Sequence, residues 1–336
     1  MTERLDRYDN YKLLLIFLVV LGHLGNKYAG SGYMMGCMQF WAYLFHMPAF
    51  VFVSGLFSKK AIEENRYHII LSYVRLYMLM CFAEFCNNYL LSGEMPGHIF
   101  TFTKCTGTEW YCLGMAWWYL ATFVLKKAKP ALVFPVLMVR CLASGYFSQV
   151  SSFLSIQRAL LFYPFFYAGY VSDARKISGF AQKKPVRILS AAVIRVSVIV
   201  VALKFESITG WRNVFRARYT YMRLAKQGFT LEYGWLYRTV AYLVSALMGL
   251  SALSLTPNVR TIFTKRGRQT LPVYFWHQMV IAFMLKAIPG LNKWVKGAMT
   301  GPKCILFRAA VTMICLIPVF NIPLRRLFYR KKKPTE

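Results

Sequence analysis

Acidic residues are scarce in this chain. Twelve Asp and Glu stand against 42 Lys and Arg in 336 residues, a formal net charge of +30. On a soluble protein such an imbalance would point to nucleic acid. Here the basic residues lie mostly between long apolar runs. The charge therefore reads as membrane orientation and attraction to anionic headgroups, and nucleic acid is not the expected partner. Metal-type cysteine spacing is also missing. Eight cysteines stand at 37, 81, 86, 105, 112, 141, 304 and 315 with no CxxC pair and no zinc pattern. No metal is expected, and most of these thiols behave as small hydrophobes. Cys105 and Cys112 flank the start of an apolar run; spacing alone leaves their pairing open. Charge of any sign is sparse, at 16%, whereas 57% of residues are hydrophobic. Soluble domains run nearer 45–50% apolar. No small-residue cleavage site follows the first apolar run, so it reads as an uncleaved span. No solenoid-type or inverted repeat shows, and no stretch is suited to a separate soluble domain.

What is present is a series of apolar runs approaching the ~20 residues a spanning helix needs. Ten spans are expected, at about 11–29, 39–57, 69–91, 110–126, 131–148, 155–172, 187–205, 233–254, 270–288 and 304–324. The expected fold is all-α: a polytopic membrane protein of about ten transmembrane helices in one bundle, residues 1–336 forming one domain. Lys and Arg set its direction. With both termini cytoplasmic, inside segments hold 24 of the 42 basic residues, outside segments hold 14, and four lie within spans. That bias agrees with both termini cytoplasmic in a multi-pass plasma membrane protein, with a basic tail at 325–336. The segment 205–232 runs against it. It would be external, yet it carries Arg212, Arg216, Arg218, Arg223 and Lys226 among Trp211, Phe215, Tyr219 and Tyr221. It reads either as a basic helix lying on headgroups or as an electropositive lid over an anionic acceptor.

Two histidines sit inside apolar runs. His23 closes Gly22-His23, and His46 opens Phe45-His46-Met47-Pro48 ahead of Ser54-Gly55. Polar side chains at membrane depth are retained where they face a bundle interior or a wet cavity. His23 is expected roughly 15 Å above the start of its span at 1.5 Å per residue. His46 descends from the other side on the next span, so both imidazoles fall in the outer half. A lone histidine is often a core residue bonded to a carbonyl; two at matching depth favour chemistry, with imidazole as the general base. Asp9 and Lys12, three apart, share a helix face if the helix has begun, either as an interfacial ion pair or as a fixed charge group beneath His23. Pro48 frees the carbonyl four residues earlier and bends its helix, and irregular backbone in a membrane lines cavities. Trp110-Tyr111 and Trp117-Trp118-Tyr119 suit either an interface belt or a site. Arg140 and Arg195 fall deep in their spans and call for partners, with Glu84 the acidic candidate. Arg75 lies nearer the cytoplasmic end, and guanidinium suits phosphate. His277 is expected toward the cytoplasmic side, apart from the other two histidines.

Asp9, Lys12, Gly22-His23, Phe45-His46-Met47-Pro48, Ser54-Gly55, Trp118-Tyr119-Leu120 and Gly267…Leu271…Tyr274…His277 occur in an order that resembles the family 3 integral-membrane acyltransferases. Within them, the chain is most similar to the fucose 4-O-acetylase-like sugar O-acetyltransferases. The resemblance implies ten core helices, acetyl-CoA as cytoplasmic donor, and O-acetylation of a sugar hydroxyl on a glycan or lipid-linked saccharide. The family's basic residue, ten residues, then His maps onto Lys12 and His23. Its helix-three arginine maps onto Arg75, and no appended hydrolase-like domain is expected. The resulting assignment has His23 as base or acetyl carrier, His46 orienting it, and Asp9 fixing the first helix. Lys12, Arg75 and Arg140 bind the donor, and Trp118, Tyr119 and His277 meet the acceptor. A homodimer stays open. The rival is a proton-coupled transporter or flippase whose histidines relay protons and whose arginines bind an anion.

Overall fold

The computed structural model describes residues 5–27, 32–92, 103, 107–147, 153–262, 264–291, 293–294 and 303–317. Among them the structure is helical, with no extended strand. The helices are α1 (Asp6–Lys27), α2 (Tyr33–Tyr43), α3 (His46–Glu63), α4 (His68–Ser92), α5 (Trp110–Leu125), α6 (Pro130–Ser144) and α7 (Ile156–Val171). After these come α8 (Ala174–Gln182), α9 (Lys184–Ile208), α10 (Arg212–Phe215), α11 (Tyr221–Ala225), α12 (Gly234–Leu255), α13 (Thr264–Gly267), α14 (Thr270–Ala287) and α15 (Lys303–Cys315). Cys105 and the basic tail at 325–336 lie outside the described residues.

Among the described residues four segments are long and apolar enough to cross a membrane: Tyr33–Glu63, His68–Cys86, Lys184–Phe215 and Gly234–Leu255. Trp110–Leu125 and Pro130–Ser144 are apolar but shorter. The outward face of α9 shows the solvent it is built for. Ile188, Leu189, Val196, Val198, Ile199 and Leu203 are all about half or more exposed, a continuous apolar surface that water would penalise and lipid would not. The chain is therefore a helical membrane protein.

The span expected at 39–57 is two helices. α2 ends at Tyr43, Leu44 and Phe45 form the break, and α3 starts at His46. Pro48 explains it, since its ring has no N–H to offer Leu44 and crowds that carbonyl. The freed oxygen accepts the hydroxyl of Ser245, on α12, at 2.5 Å. A backbone group that would be orphaned in hydrocarbon is thereby satisfied by a neighbouring helix.

α3 and α7 meet backbone to backbone. A Cβ on Gly55 would fall 2.0 Å from the Phe166 carbonyl oxygen, and one on Gly169 would fall 2.1 Å from that of Phe52. Two glycines facing each other's partner helix let the axes approach as closely as small-residue membrane interfaces do. Carbonyls in the turn before Pro164 of α7 find side-chain donors. Trp118 donates its indole N–H to Ala159 at 2.7 Å and Tyr242 its hydroxyl to Leu161 at 2.6 Å. Trp118 is thus part of the core, 1% exposed.

At one end of the bundle, Arg7 donates to the Ser178 carbonyl, Tyr8 to that of Ala174, and Asn10 to those of Pro257 and Val259. These bonds tie the start of α1 to α8 and to the connection after α12. At the opposite end, Tyr221 takes the Gly145 carbonyl and Tyr146 donates to the Glu232 carbonyl.

Candidate functional site: two cavities that meet at a tyrosine

α1 begins at Asp6, so Asp9 and Lys12 already lie on the helix and share a face. Their ion pair closes at 2.9 Å. Asp9 is almost fully buried, and its second oxygen takes Arg268 at 3.1 Å. Gly267 makes this possible: a Cβ there would fall 1.8 Å from the Asp9 carbonyl oxygen, so only glycine lets α13 seat against α1. Lys12 also lies over the Phe57 ring, 5.4 Å from its centroid. Its ammonium opens onto a cavity of about 340 Å³ lined by Ser54, Tyr73, Tyr111, Tyr119, Thr270 and Tyr274, among others. The hydroxyls of Ser54 and Tyr111 are 2.6 Å apart.

A second cavity, of about 380 Å³, opens toward the other end. His23, Tyr43, His46, Trp110, Arg158, Arg216, Arg218, Tyr274 and Gln278 line it. It thus brings the two sequence-predicted histidines together. The Tyr43 ring packs against α1 at Gly22. The break before α3 aims His46 into the cavity. Its Nδ1 lies 2.6 Å from the Ala42 carbonyl, which only accepts, so Nδ1 carries the proton and Nε2 carries the lone pair. His23 Nδ1 faces the side-chain amide of Gln278 at 3.3 Å. The contacting atom is the Gln278 amide nitrogen, which donates, so His23 Nδ1 accepts and its ring proton sits on Nε2.

His277 corrects the expectation that it stands apart. Its ring centroid is 5.1 Å from that of His23. α14 packs along α1, which brings His277 level with His23. Its Nδ1 is 2.9 Å from the carbonyls of both Val273 and Tyr274, which places the proton there. Its Nε2 is then a buried acceptor with no hydrogen-bond partner.

Tyr274 is common to both cavities. Its ring lies 5.1 Å from that of Tyr111, and its hydroxyl donates to the Thr108 carbonyl. One aromatic side chain therefore stands between the Lys12 cavity and the histidine cavity. A larger cavity, about 660 Å³, lies elsewhere, lined almost wholly by apolar groups such as Phe52, Phe165, Leu243 and Leu250. It lacks the convergent polar groups that chemistry needs.

The other sequence-predicted residues are dispersed. Tyr119 lines the Lys12 cavity, whereas Trp118 is turned into the core. Arg75 and Arg140 are exposed on the outer faces of α4 and α6 and line neither polar cavity. Arg195 is likewise exposed. Glu84 lies beside Glu109 at Gly107, and among the described residues it forms no ion pair with an arginine. Sequence reasoning missed Arg158 and Gln278; the available signals were a cation in the first turn of apolar α7 and an amide more than two turns into apolar α14. Among the described residues no group of three His, Cys, Asp or Glu is placed to hold a metal ion.

Fold and site together define a helical membrane protein with a polar cavity bearing histidines and arginines. The chain is similar to nodulation protein NolL of Sinorhizobium fredii (strain NBRC 101917 / NGR234), 27% identical over 177 residues. The matched region is 49% of this chain and 47% of NolL, so the chain matches about half the length of that relative. No family model and no solved structure matches it.

Proposed function

We propose that the protein is a membrane-bound acyltransferase that moves acetyl from acetyl-CoA to a hydroxyl of a glycan or lipid-linked saccharide. The observation that carries this reading is the pair of polar cavities opening toward opposite ends and meeting at Tyr274. A donor held on one side of a membrane and an acceptor held on the other need that arrangement. In this reading the chain crosses ten times with both termini cytoplasmic, and residues 205–232 are external. The Lys12 cavity is the donor side. Its hydroxyls suit the amides of an acyl-pantetheine arm, and Lys12 supplies a cation for phosphate at its mouth.

The histidine cavity is then where transfer occurs. His46 Nε2 carries a lone pair by its bond to Ala42 and accepts the proton of the attacking hydroxyl. As the hydroxyl oxygen bonds to the acyl carbon, the carbon–sulfur bond breaks, and the departing thiolate takes up the proton His46 collected. His23, steered by Gln278, stands beside the reacting atoms to hold the acyl oxygen or to share that proton. A base in reach of the hydroxyl contributes about 10²–10⁴-fold. Asp9, Lys12 and Arg268 keep α1 in register beneath it.

The transporter reading retains one observation in its favour, the broken helix at the edge of the cavity. One experiment separates the two. Purified protein in saccharide-bearing membrane vesicles is given acetyl-CoA, and free CoA and acetylated saccharide are measured. Transport alone releases no CoA.

A further inference from the structure

Three arginines face the histidine cavity without an acid to balance them. Arg158, at the start of α7, packs its guanidinium 4.9 Å from the Trp110 ring centroid. Arg216 lies 5.5 Å from that of Tyr43, and Arg218 lines the same wall. Both stand close enough to repel Arg158 electrostatically. No Asp or Glu among the described residues forms an ion pair with any of the three. The nearby acids, Glu84 and Glu109, meet behind Gly107, and neither forms an ion pair with any of the three. Arg158 Nε is buried with no hydrogen-bond partner. Gathering like charges in a partly desolvated cavity is unfavourable unless an anion joins them.

The turn bearing two of them is built rather than loose. Ala217 has φ of +50, the left-handed region that residues with a Cβ seldom occupy. That turn lets Arg216 and Arg218, on either side of it, reach one cavity. Arg238, 1% exposed on α12, holds the segment from beneath through the carbonyls of Val214 and Tyr219. One buried arginine thus spends its donors fixing the segment that carries the other two.

We propose that Arg158, Arg216 and Arg218 form an oxyanion subsite that takes an acidic group of the acceptor, phosphate or carboxylate, beside the His23–His46 pair. This rests on the acyl-transfer reading and narrows its acceptor to an anionic saccharide. Planar guanidiniums grip either group bidentately, and the grip orients the hydroxyl toward His46.

The test measures binding without acetyl-CoA, using the full chain in a neutral detergent and ligand-induced shifts in melting temperature. Glucuronic acid and glucose 1-phosphate serve as carboxylate and phosphate probes, glucose as the neutral one, and CoA as the alternative phosphate source. Glucuronic acid, glucose 1-phosphate or both should stabilise the protein, while glucose should not. Whichever stabilises it names the acidic group. R158Q and R216Q should each raise the half-saturating concentration about ten- to a hundred-fold. R158K should fall between them and the wild type, because it keeps charge but loses the fork. K129Q, the same charge removed at the other end, should bind as wild type. If R158Q does not fold, R216Q and R218Q carry the test. Equal binding of glucose and glucuronic acid, unchanged affinity in R216Q and R218Q, or a response to CoA alone overturns the proposal. A protein that binds the anions through these arginines yet never releases CoA keeps this subsite and loses the acyl-transfer reading.

Discussion

Gly169→Ala tests the packing that holds the site together. The new Cβ would stand 2.1 Å from the Phe52 carbonyl oxygen and 2.8 Å from the Leu56 nitrogen. Ordinary contact begins near 3.4 Å, so α3 and α7 must separate locally by about 1.3 Å. Both opposing atoms are backbone, so no side chain can swing away. Overpacking of this kind costs about 1–3 kcal/mol, and the upper part of that range is expected here. Separation would also shift His46, at the start of α3, and the carbonyls that Trp118 and Tyr242 engage on α7. The assay is the midpoint of thermal aggregation of detergent-solubilised protein, read by size exclusion. Gly169→Ala and Gly55→Ala should each lower it clearly. The double variant should lose less than the sum, because both force apart the same pair of helices. Gly179→Ala is the control: nothing lies within 4 Å of its Cβ, and alanine is the better helix former, so stability should hold or rise. A Gly169→Ala protein that melts with the wild type, while Gly179→Ala also does, refutes the close crossing.

Other outcomes follow from the same geometry. Ser245→Ala leaves the Leu44 carbonyl without its hydroxyl donor and should cost about 1–3 kcal/mol in the same melting assay. Asp9→Asn takes away the buried carboxylate between Arg268 and Lys12 and leaves only Asp6, 3.9 Å from Arg268; acyl transfer should fall and the melting midpoint should drop. Tyr274→Ala removes the side chain between the two cavities, so acetyl-CoA should be hydrolysed by water without acceptor more readily than in wild type, read as free CoA. Gln278→Leu removes the amide that orients His23 and should lower turnover more than it alters acceptor affinity.

The helical class and the two histidines were legible because apolar length and misplaced polarity are local signals. Pro48 likewise announced the break that aims His46, since a missing N–H frees one particular carbonyl. The expected ten spans correspond in part to what length and apolarity support, four segments, because several helices mix polar groups into short runs. The position of His277 was not legible. It depends on how α14 packs against α1, which joins residues more than 250 positions apart. Arg140 and Arg195 looked like buried cations because hydropathy reports depth and not which side of a helix faces inward, and both are exposed. Arg158, Arg216 and Arg218 were visible as charges, but their convergence needed the turn at Ala217 and the grip of Arg238.

The central claim is that the histidine cavity carries out acyl transfer, and one measurement reaches it most directly. Membranes containing the full chain are given acetyl-CoA labelled in the acetyl group, and label in saccharide is counted for wild type, His46→Ala, His23→Ala and the double variant. The account predicts label with wild type and a loss of at least about a hundredfold in His46→Ala. His23→Ala should lose activity as well, and the double variant should be little worse than the weaker single one, since the two act as a unit. Retention of near-normal labelling by both single variants, with the proteins folded, contradicts it.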